Sequence, residues 1–206
     1  MAINIDAVTN APLAVDPFDH CVVPGFVDGP ALADAMGDFP TMDRPGSFPV
    51  DGLDYGPVFA ALLDRLRGPD LARALSEKFS VDLAPYPTML TVRGLCRARD
   101  GRIHTDSKSK IVTVLLYMNP PWESDGGRLR LLRHADDIED YVVEVAPDAG
   151  TLLAFRCDET AWHGHKPFVG VRRTIQLNWV SGTGFRRRER YRHMVSAVSK
   201  KLGLVD

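Results

Sequence analysis

Residues 151–179 read TLLAFRCDETAWHGHKPFVGVRRTIQLNW and contain two short runs of the kind that form β-strands, at 151–155 and 172–179. Both runs are rich in β-branched and large apolar side chains, and the turn-forming stretch HKPFVG precedes the second. Similar runs lie upstream at 88–97, 111–117, 129–132 and 141–145, separated by turn signals such as RDG, NPPW, SDGG and PDAG. Many short strands joined by Gly- and Pro-rich turns predict an antiparallel sandwich or barrel.

The chain before residue 86 has a helical pattern instead. Apolar residues recur at three- and four-residue steps over 55–66 and again over about 70–79, and Pro30 fits the first turn of an earlier helix. Between these segments, residues 41–52 (TMDRPGSFPVDG) form a loop dense in Pro and Gly. A loop of this length predicts either a lid that closes over a substrate or a passive connector between helices.

The length and composition favour one domain. The chain has 206 residues, of which 45% are hydrophobic and 25% charged, which is enough apolar surface for a single core. We expect residues 1–85 to supply mostly helical support and the lid, residues 86–182 to form the catalytic β core, and residues 183–206 to form a basic C-terminal helix.

Composition also excludes several classes of protein. The three cysteines (Cys21, Cys96 and Cys157) have no CxxC spacing, which argues against a disulfide scaffold or a Cys-type zinc finger and favours a reducing compartment. No run approaches the roughly 18 apolar residues of a membrane span, and the start MAINIDAVTN lacks the basic and apolar regions of a signal peptide. A cytoplasmic location is expected.

Charge is distributed unevenly along the chain. The net charge is −2, but residues 1–85 hold 13 acidic and 5 basic residues (−8), while residues 86–206 hold 14 and 20 (+6). A basic half is compatible with nucleic acid binding, yet no DNA- or RNA-binding motif accompanies it. We therefore favour a solvated face together with a site for an anionic small molecule, and expect neither nucleic acid nor membrane as a partner. The oligomeric state is not predicted.

The tripeptide His104-Thr105-Asp106 is the first candidate for metal chemistry. On a strand, residues i and i+2 point to the same side, so the imidazole and the carboxylate can converge on one cation. The alternative is a histidine that is simply hydrogen-bonded to a neighbouring carboxylate, because short motifs of this kind are common.

Two histidines downstream in AWHGHKPF, His163 and His165, can complete a metal site. Either one would give a set of two histidines and one carboxylate, which leaves coordination positions open on Fe(II) for a co-substrate and O₂. Zinc accepts the same ligands, so ligand type alone does not select the metal. The alternative is a histidine pair that only packs against Trp162.

The strand GVRRTIQLNWV carries a candidate anion site. Alternation places Arg172, Thr174 and Gln176 on one face, and Arg173 with Ile175 and Leu177 on the other. A guanidinium that points into a barrel is costly unless it meets an anion, and its fork fits a carboxylate. The alternative is that one arginine extends to solvent while the other forms an ordinary ion pair.

Six motifs follow one another along the chain: HTD, LLYMN, GGRLRLL, a distal WH, a Pro four residues later, and RRT. In this order they resemble the Fe(II)/2-oxoglutarate-dependent dioxygenases, and most closely the prolyl-hydroxylase-like branch of that superfamily. The resemblance covers residues from about 88 to 180. It implies a double-stranded β-helix (jelly-roll) core, so the expected fold class is mainly β with flanking helices.

The resemblance also implies roles for individual residues. His104 and Asp106 match the first two iron ligands. His163 is favoured over His165 as the third, because the family commonly has Pro at +4 and the carboxylate-binding Arg at +9 or +10 from this histidine. Arg172 with Thr174 then matches the pair that binds the far carboxylate of 2-oxoglutarate, and Tyr117 matches a tyrosine that reaches the same carboxylate. A core aromatic is the alternative for Tyr117.

The activity implied by the resemblance is oxygenation of a C–H bond with Fe(II), 2-oxoglutarate and O₂, releasing succinate and CO₂. The related halogenases lack the carboxylate that Asp106 matches, so hydroxylation is expected, with desaturation and ring closure left open. Rival interpretations are a cupin-type metal protein that is no oxygenase, a peptidyl hydroxylase, and a non-catalytic binding module.

The substrate is expected to be a small polar or anionic molecule. Arg93 and Arg97 share one face of their candidate strand, and Arg128 and Arg130 share one face of theirs. Either pair would attract an anion if it faced the mouth of the barrel, and both would be ordinary surface arginines if they faced solvent.

Overall fold

Two antiparallel β-sheets form the centre of the fold in the computed structural model, which describes residues 3–182. The strands are β1 (His20–Val23), β2 (Phe48–Pro49), β3 (Thr88–Cys96), β4 (Lys110–Tyr117), β5 (Leu129–Leu132), β6 (Tyr141–Val145), β7 (Leu152–Arg156), β8 (Trp162–His165) and β9 (Gly170–Val180). The helices are α1 (Ile5–Asn10), α2 (Gly29–Gly37), α3 (Pro57–Arg67) and α4 (Pro69–Phe79).

The strands pair across the sequence rather than along it. The larger sheet has the order β1-β7-β4-β9-β3-β2, and the smaller sheet has the order β6-β5-β8. All of these pairings are antiparallel. The fold is mainly β with flanking helices and is consistent with a jelly roll, which confirms the predicted fold class.

One face of the larger sheet packs against the helices. Along β4, Val112, Val114 and Leu116 are buried in the same apolar core as Leu62 of α3 and Leu75 of α4. Each of these side chains contributes roughly 1.5–3 kcal/mol by leaving water. The helices therefore hold the larger sheet from outside and leave its other face to the site.

Helices α3 and α4 follow the predicted pattern closely. Each begins with a proline at its first turn, where no intrahelical N–H bond is lost, and Gly68 separates them. The observed bounds differ from the predicted 55–66 and 70–79 by one or two residues, since helix ends depend on local capping. Within residues 3–182, no helix is long and apolar enough to cross a membrane.

The opposite face of the larger sheet looks toward the smaller sheet. At one end, Phe155 and Leu153 of β7 pack with Leu131 of β5 and close the space between the sheets with apolar side chains. Farther along, the inward residues are polar, among them Thr113 of β4 and Thr174 of β9. This change from apolar to polar on one face creates the cavity described below.

Strand β8 is the main difference between the predicted and the observed elements. The sequence AWHGHK gave no strand signal, because Gly164 and two histidines have low β propensity. Pairing with β5, in which Leu131 lies opposite His163, nevertheless makes Trp162–His165 a strand. The short strands β1 and β2 were likewise not predicted, and the six predicted strands are all present with small shifts at their ends.

The segment 41–52 is only partly a loop. Phe48–Pro49 adds a short edge strand to β3, and Val50–Gly52 forms a 3-10 turn. Met42 packs where a side chain on Gly94 would otherwise lie, and Arg44 stacks over Phe48. The segment thus lies along the edge of the larger sheet, and its closure over a substrate stays a prediction.

The predicted C-terminal helix, residues 183–206, lies outside the described residues. The assignment of the whole chain to one domain stays a prediction as well.

Candidate active site

A cavity of about 390 Å³ opens between the two sheets. Its lining comes from β3, β4, β7 and β9 of the larger sheet, from β5 and β8 of the smaller one, and from residues of the segment 99–106. His104, Asp106, His163, Arg172 and Thr174, five of the six site residues predicted from sequence, all line it. The sixth, Tyr117, is buried and packs against the side chain of Arg172.

His104, Asp106 and His163 form a compact group at one side of this cavity. One potential ligand atom from each lies within 4.8 Å of the others. The sequence suggested a strand for the HTD segment, but His104 makes only a single β-bridge to His163 and Asp106 lies in irregular chain. The bridge consists of two backbone hydrogen bonds, each 3.0 Å long, and it brings the two imidazoles to a centroid distance of 4.4 Å.

Both histidines of the group are oriented by backbone carbonyls. Nδ1 of His104 lies 2.8 Å from the carbonyl oxygen of Arg102, and Nδ1 of His163 lies 2.9 Å from that of Ala161. A carbonyl oxygen can only accept, so each Nδ1 donates its proton and each Nε2 keeps a free lone pair. This is the tautomer in which an imidazole binds a metal through Nε2.

The Asp106 carboxylate is buried and accepts hydrogen bonds from two side chains of the larger sheet, one of which is held by a third. Lys110 donates to Oδ1 at 2.7 Å, Thr113 donates to Oδ2 at 2.6 Å, and Asn178 donates to the Thr113 hydroxyl at 2.7 Å. Burial raises the pKa of Asp106, but the charge of Lys110, the neighbouring His163 and the hydrogen bonds from Lys110 and Thr113 outweigh it and bring the pKa to about 2. The carboxylate is therefore ionised at neutral pH.

His163 is neutral under the same conditions. Burial and the neighbouring His104 lower its pKa to about 4. An ionised carboxylate beside a neutral imidazole is the protonation state in which these groups bind a divalent metal, without first releasing protons. The donor set of two nitrogens and one oxygen fits Fe(II) and leaves further coordination positions for other ligands.

His165 lies in the same cavity but outside this group. Its Nδ1 donates to the carbonyl oxygen of Lys166 at 2.8 Å, and its Nε2 lies 4.0 Å from Sγ of Cys96. Burial and the charge of Arg172 lower its pKa to about 4. The structure therefore brings His163, and not His165, together with His104 and Asp106, because only His163 lies opposite His104 in the bridge.

Arg172 and Tyr117 form a second, unsatisfied polar group. Nε of Arg172 donates to the carbonyl oxygen of Gly127 at 2.7 Å, and Nη1 donates to the Thr174 hydroxyl at 3.3 Å. Nη2 of Arg172 and the hydroxyl of Tyr117 are buried, and neither has a hydrogen-bond partner among the described residues. Burial also raises the pKa of Tyr117, against the opposing charge of Arg172, so the phenol keeps its proton.

These two atoms identify what the group can bind. Buried donors without a partner are rare in proteins and cost free energy, so an acceptor normally completes them. A carboxylate offers two acceptor oxygens to a guanidinium and a phenol at once. Tyr117 and Thr174 are direct partners in the β4–β9 pairing, so one carboxylate can reach both sides of the group. The residues present thus fit the far carboxylate of 2-oxoglutarate.

Arg173 lies on the other face of β9, as alternation predicts. Its guanidinium stacks over Phe39 at 5.4 Å, and its backbone N–H donates to the side chain of Asn119.

Sequence reasoning missed the residues that hold Asp106. Thr113 lies on the same face of β4 as Tyr117, so alternation could have identified its inward direction. Its pairing with Asn178 and its contact with Asp106 depend on strand order, for which the sequence carries no local signal.

Known proteins resemble this chain in part of its sequence and in its fold. Residues 95–181 match the family model of the 2OG-Fe(II) oxygenase superfamily. A search of the curated proteins gave no significant match. The fold is similar to that of a Pseudomonas putida prolyl-4-hydroxylase, at 18% identity and a TM-score of 0.56, over 86% of this chain and 100% of that one.

Two further solved structures share the fold. A prolyl 4-hydroxylase from Phytophthora capsici is 19% identical with a TM-score of 0.57, over 90% of this chain and 68% of that one. HygX from Streptomyces hygroscopicus, solved with nickel and 2-oxoglutarate bound, is 14% identical with a TM-score of 0.53, over 80% and 83% of the two chains.

Residues 95–181, which contain all six predicted site residues, match the 2OG-Fe(II) oxygenase superfamily, and prolyl-4-hydroxylase-like enzymes are among the structural neighbours of the chain. It is a 2-oxoglutarate-dependent dioxygenase, with Fe(II) as its cofactor and 2-oxoglutarate and O₂ as its co-substrates. The predicted family, enzyme class and cofactors are confirmed.

Replacing Gly101 by alanine should weaken metal binding. Gly101 has a φ of 78°, and a Cβ there would lie 2.1 Å from Nε2 of His165, so the segment leading to His104 and the ring of His165 must move apart. We expect at least a tenfold loss of Ni(II) or Fe(II) affinity, measured by titration. The matched control is Gly25→Ala, where φ is 67° and nothing lies within 4 Å. Equal metal affinity in both variants would contradict the role given to this close approach.

Exchanging each distal histidine separately should distinguish their roles. His163→Ala should abolish stoichiometric iron binding and turnover, because it removes a ligand atom of the compact group. His165→Ala should retain measurable iron and activity. Metal content and succinate release measure both effects, and the reverse pattern would move the third ligand to His165.

Replacing each arginine of β9 by alanine should distinguish the face that lines the cavity from the opposite face. Arg172→Ala leaves a buried carboxylate unpaired, a loss of roughly 3–5 kcal/mol. At about 1.4 kcal/mol per tenfold, the KM for 2-oxoglutarate should rise at least a hundredfold. Arg173→Ala should change it little. Equal small effects would show that neither guanidinium binds the co-substrate.

Proposed function

We propose that this protein hydroxylates a C–H bond of a small polar, anionic molecule, with release of succinate and CO₂. The observation that carries the proposal is that one cavity contains both the His104–Asp106–His163 group and Arg172, whose unsatisfied guanidinium packs against Tyr117. A metal centre and a carboxylate site next to one another are what 2-oxoglutarate needs, since one end of it chelates the metal and the other is an anion.

Each group of this chain then has a defined task. His104, Asp106 and His163 hold Fe(II), which when bound supplies the oxidising chemistry together with 2-oxoglutarate and O₂. Arg172, Thr174 and Tyr117 bind the far carboxylate and thereby fix the co-substrate's orientation. Lys110 and Thr113 keep the Asp106 carboxylate ionised and fixed in direction.

Apolar side chains limit the access of water to the same centre. Phe155 packs against the ring of His163 with a centroid distance of 4.9 Å, and Leu115 and Leu129 also line the cavity. A centre partly surrounded by apolar groups favours reaction with a bound substrate over side reactions with solvent.

The principal alternative is a peptidyl hydroxylase. It is favoured by the prolyl 4-hydroxylases among the structural neighbours, whose likeness to this chain extends to the fold. A cupin-type metal protein without oxygenase activity is disfavoured by the family match. A cytoplasmic location belongs to the proposal, and the cysteines Cys21, Cys96 and Cys157 are all free thiols in the structure.

Anaerobic addition of Fe(II) and 2-oxoglutarate tests the co-substrate assignment. The mixture should develop the weak visible absorption of a metal-chelated keto acid, and in air it should release succinate slowly without substrate. Asp106→Ala should abolish both signals because a ligand is missing. Absence of the absorption band in the unaltered protein, with no succinate formed in air, would refute the proposal.

A further inference from the structure

Three arginines in the active-site cavity have no partner. Arg93, Arg99 and Arg102 all line the cavity and are all exposed to solvent, and none of their side chains forms a hydrogen bond or an ion pair with another described residue. The acidic groups of the cavity are already occupied. Asp106 is bonded to Lys110, and Asp100 is bonded to Arg97 at 3.0 Å.

The other predicted arginines are not available for this role. Arg97 lies past the end of β3 and pairs with Asp100, because an irregularity in the strand between Arg93 and Leu95 breaks the alternation that would put Arg93 and Arg97 on one face. Arg128 and Arg130 lie outside the cavity lining, and both face Glu144. Of the four arginines considered from sequence, only Arg93 reaches the cavity.

The position of Arg93 sets it beside the co-substrate site. It is the direct strand partner of Thr174, and the two side chains lie on the same face of the larger sheet. Arg99 and Arg102 approach from the turn before the HTD segment, where the Arg102 carbonyl also orients His104. Arg93 thus lies on β3, beside the group that binds a carboxylate. Arg99 and Arg102 lie in the turn beside the metal-binding group.

The side chains that line the cavity carry an excess of positive charge, which favours the binding of an additional anion. Its lining has five cationic side chains (Arg93, Arg99, Arg102, Lys110, Arg172) and two acidic ones (Asp100, Asp106). Fe(II) and the 2-oxoglutarate dianion carry opposite charges of equal size, so their binding leaves this excess unchanged. Like charges collected in one cleft attract a ligand of the opposite sign and raise its local concentration.

We propose that Arg93, assisted by Arg99 and Arg102, binds a phosphate or carboxylate group of the primary substrate. This inference rests on the proposed oxygenase function and assigns the residues that recognise the substrate. The cavity lies near the low end of the roughly 300–1,000 Å³ usual for small-ligand sites, and 2-oxoglutarate takes part of it. The space that remains suits a small anion rather than a folded segment of protein.

The binding test uses inorganic phosphate and acetate as probes of the two anion chemistries. Calorimetric titrations are made on the anaerobic Fe(II) protein with 2-oxoglutarate at saturation, so that Arg172 is already occupied. Arg93→Gln should weaken binding of at least one probe tenfold or more, equivalent to about 1.4 kcal/mol. Arg93→Lys should restore part of it. The matched control is Arg65→Gln, an exposed arginine of α3 outside the cavity lining, which should change affinity less than twofold.

The same variants are titrated with 2-oxoglutarate to separate the two sites. The loss of affinity in Arg93→Gln should be larger for the anion probe than for 2-oxoglutarate. A larger loss for 2-oxoglutarate would make Arg93 part of the co-substrate site and overturn the inference. Failure of both probes to bind the unaltered protein would overturn it too, while an intact keto-acid absorption band would leave the oxygenase assignment standing.

A turnover screen with matched pairs identifies the class of substrate. Each phosphorylated or carboxylated compound is assayed beside its neutral counterpart, such as glucose 6-phosphate with glucose or glutamate with glutamine, and acidic and neutral peptides are included. Stimulated succinate release by the small anionic members, lost in Arg93→Gln, supports the inference. Stimulation by peptides alone would overturn it in favour of a peptidyl hydroxylase.

Discussion

Two backbone hydrogen bonds between His104 and His163 hold the candidate site together. They join a segment without regular structure to the edge strand of the smaller sheet, and so position two imidazoles and, two residues later, a carboxylate. Each bond contributes only about 0.5–1.5 kcal/mol net, but the pair fixes the distance between groups far apart in the chain. Gly101 and Gly164 permit this approach, because a Cβ on Gly164 would lie 2.8 Å from the carbonyl oxygen of Gly101.

Strand β9 positions Arg172 and Thr174 through the alternation of its side chains between two faces. Its successive side chains alternate between the helix-covered core, where Ile175 and Leu177 are buried, and the cavity, where Arg172 and Thr174 lie. The apolar side anchors the strand, so the polar side can keep the buried Nη2 of Arg172 without a partner. Its cost of about 1–3 kcal/mol is offset by the core behind it and is recovered when an anion binds.

Local patterns predicted six of the strands and placed Arg172 and Arg173 on opposite faces of β9, because both results depend on the periodicity of a strand. The same patterns described residues 41–52 as a loop, HKPFVG as a turn and HTD as part of a strand. In the structure the first contains a short edge strand, the second begins with the last residue of β8, and the third is irregular chain with a single β-bridge. His163 lies in a strand that only pairing with β5 creates, and the facing of Arg93 depends on register and on the irregularity that follows it. Contacts such as Asn178 to Thr113 require strand order, which nonlocal packing decides. The ligand set itself came from the family resemblance and not from periodicity.

The connection from Asn178 through Thr113 to Asp106 has a consequence for the whole fold. Thr113 and Asn178 belong to the larger sheet, whereas His163 belongs to the smaller one. A metal held by Asp106 and His163 is therefore a cross-link between the two sheets, and its binding free energy adds to the free energy that keeps them closed. With these ligands, bound iron would stabilise the fold, and the free energy of unfolding would rise with the concentration of free iron.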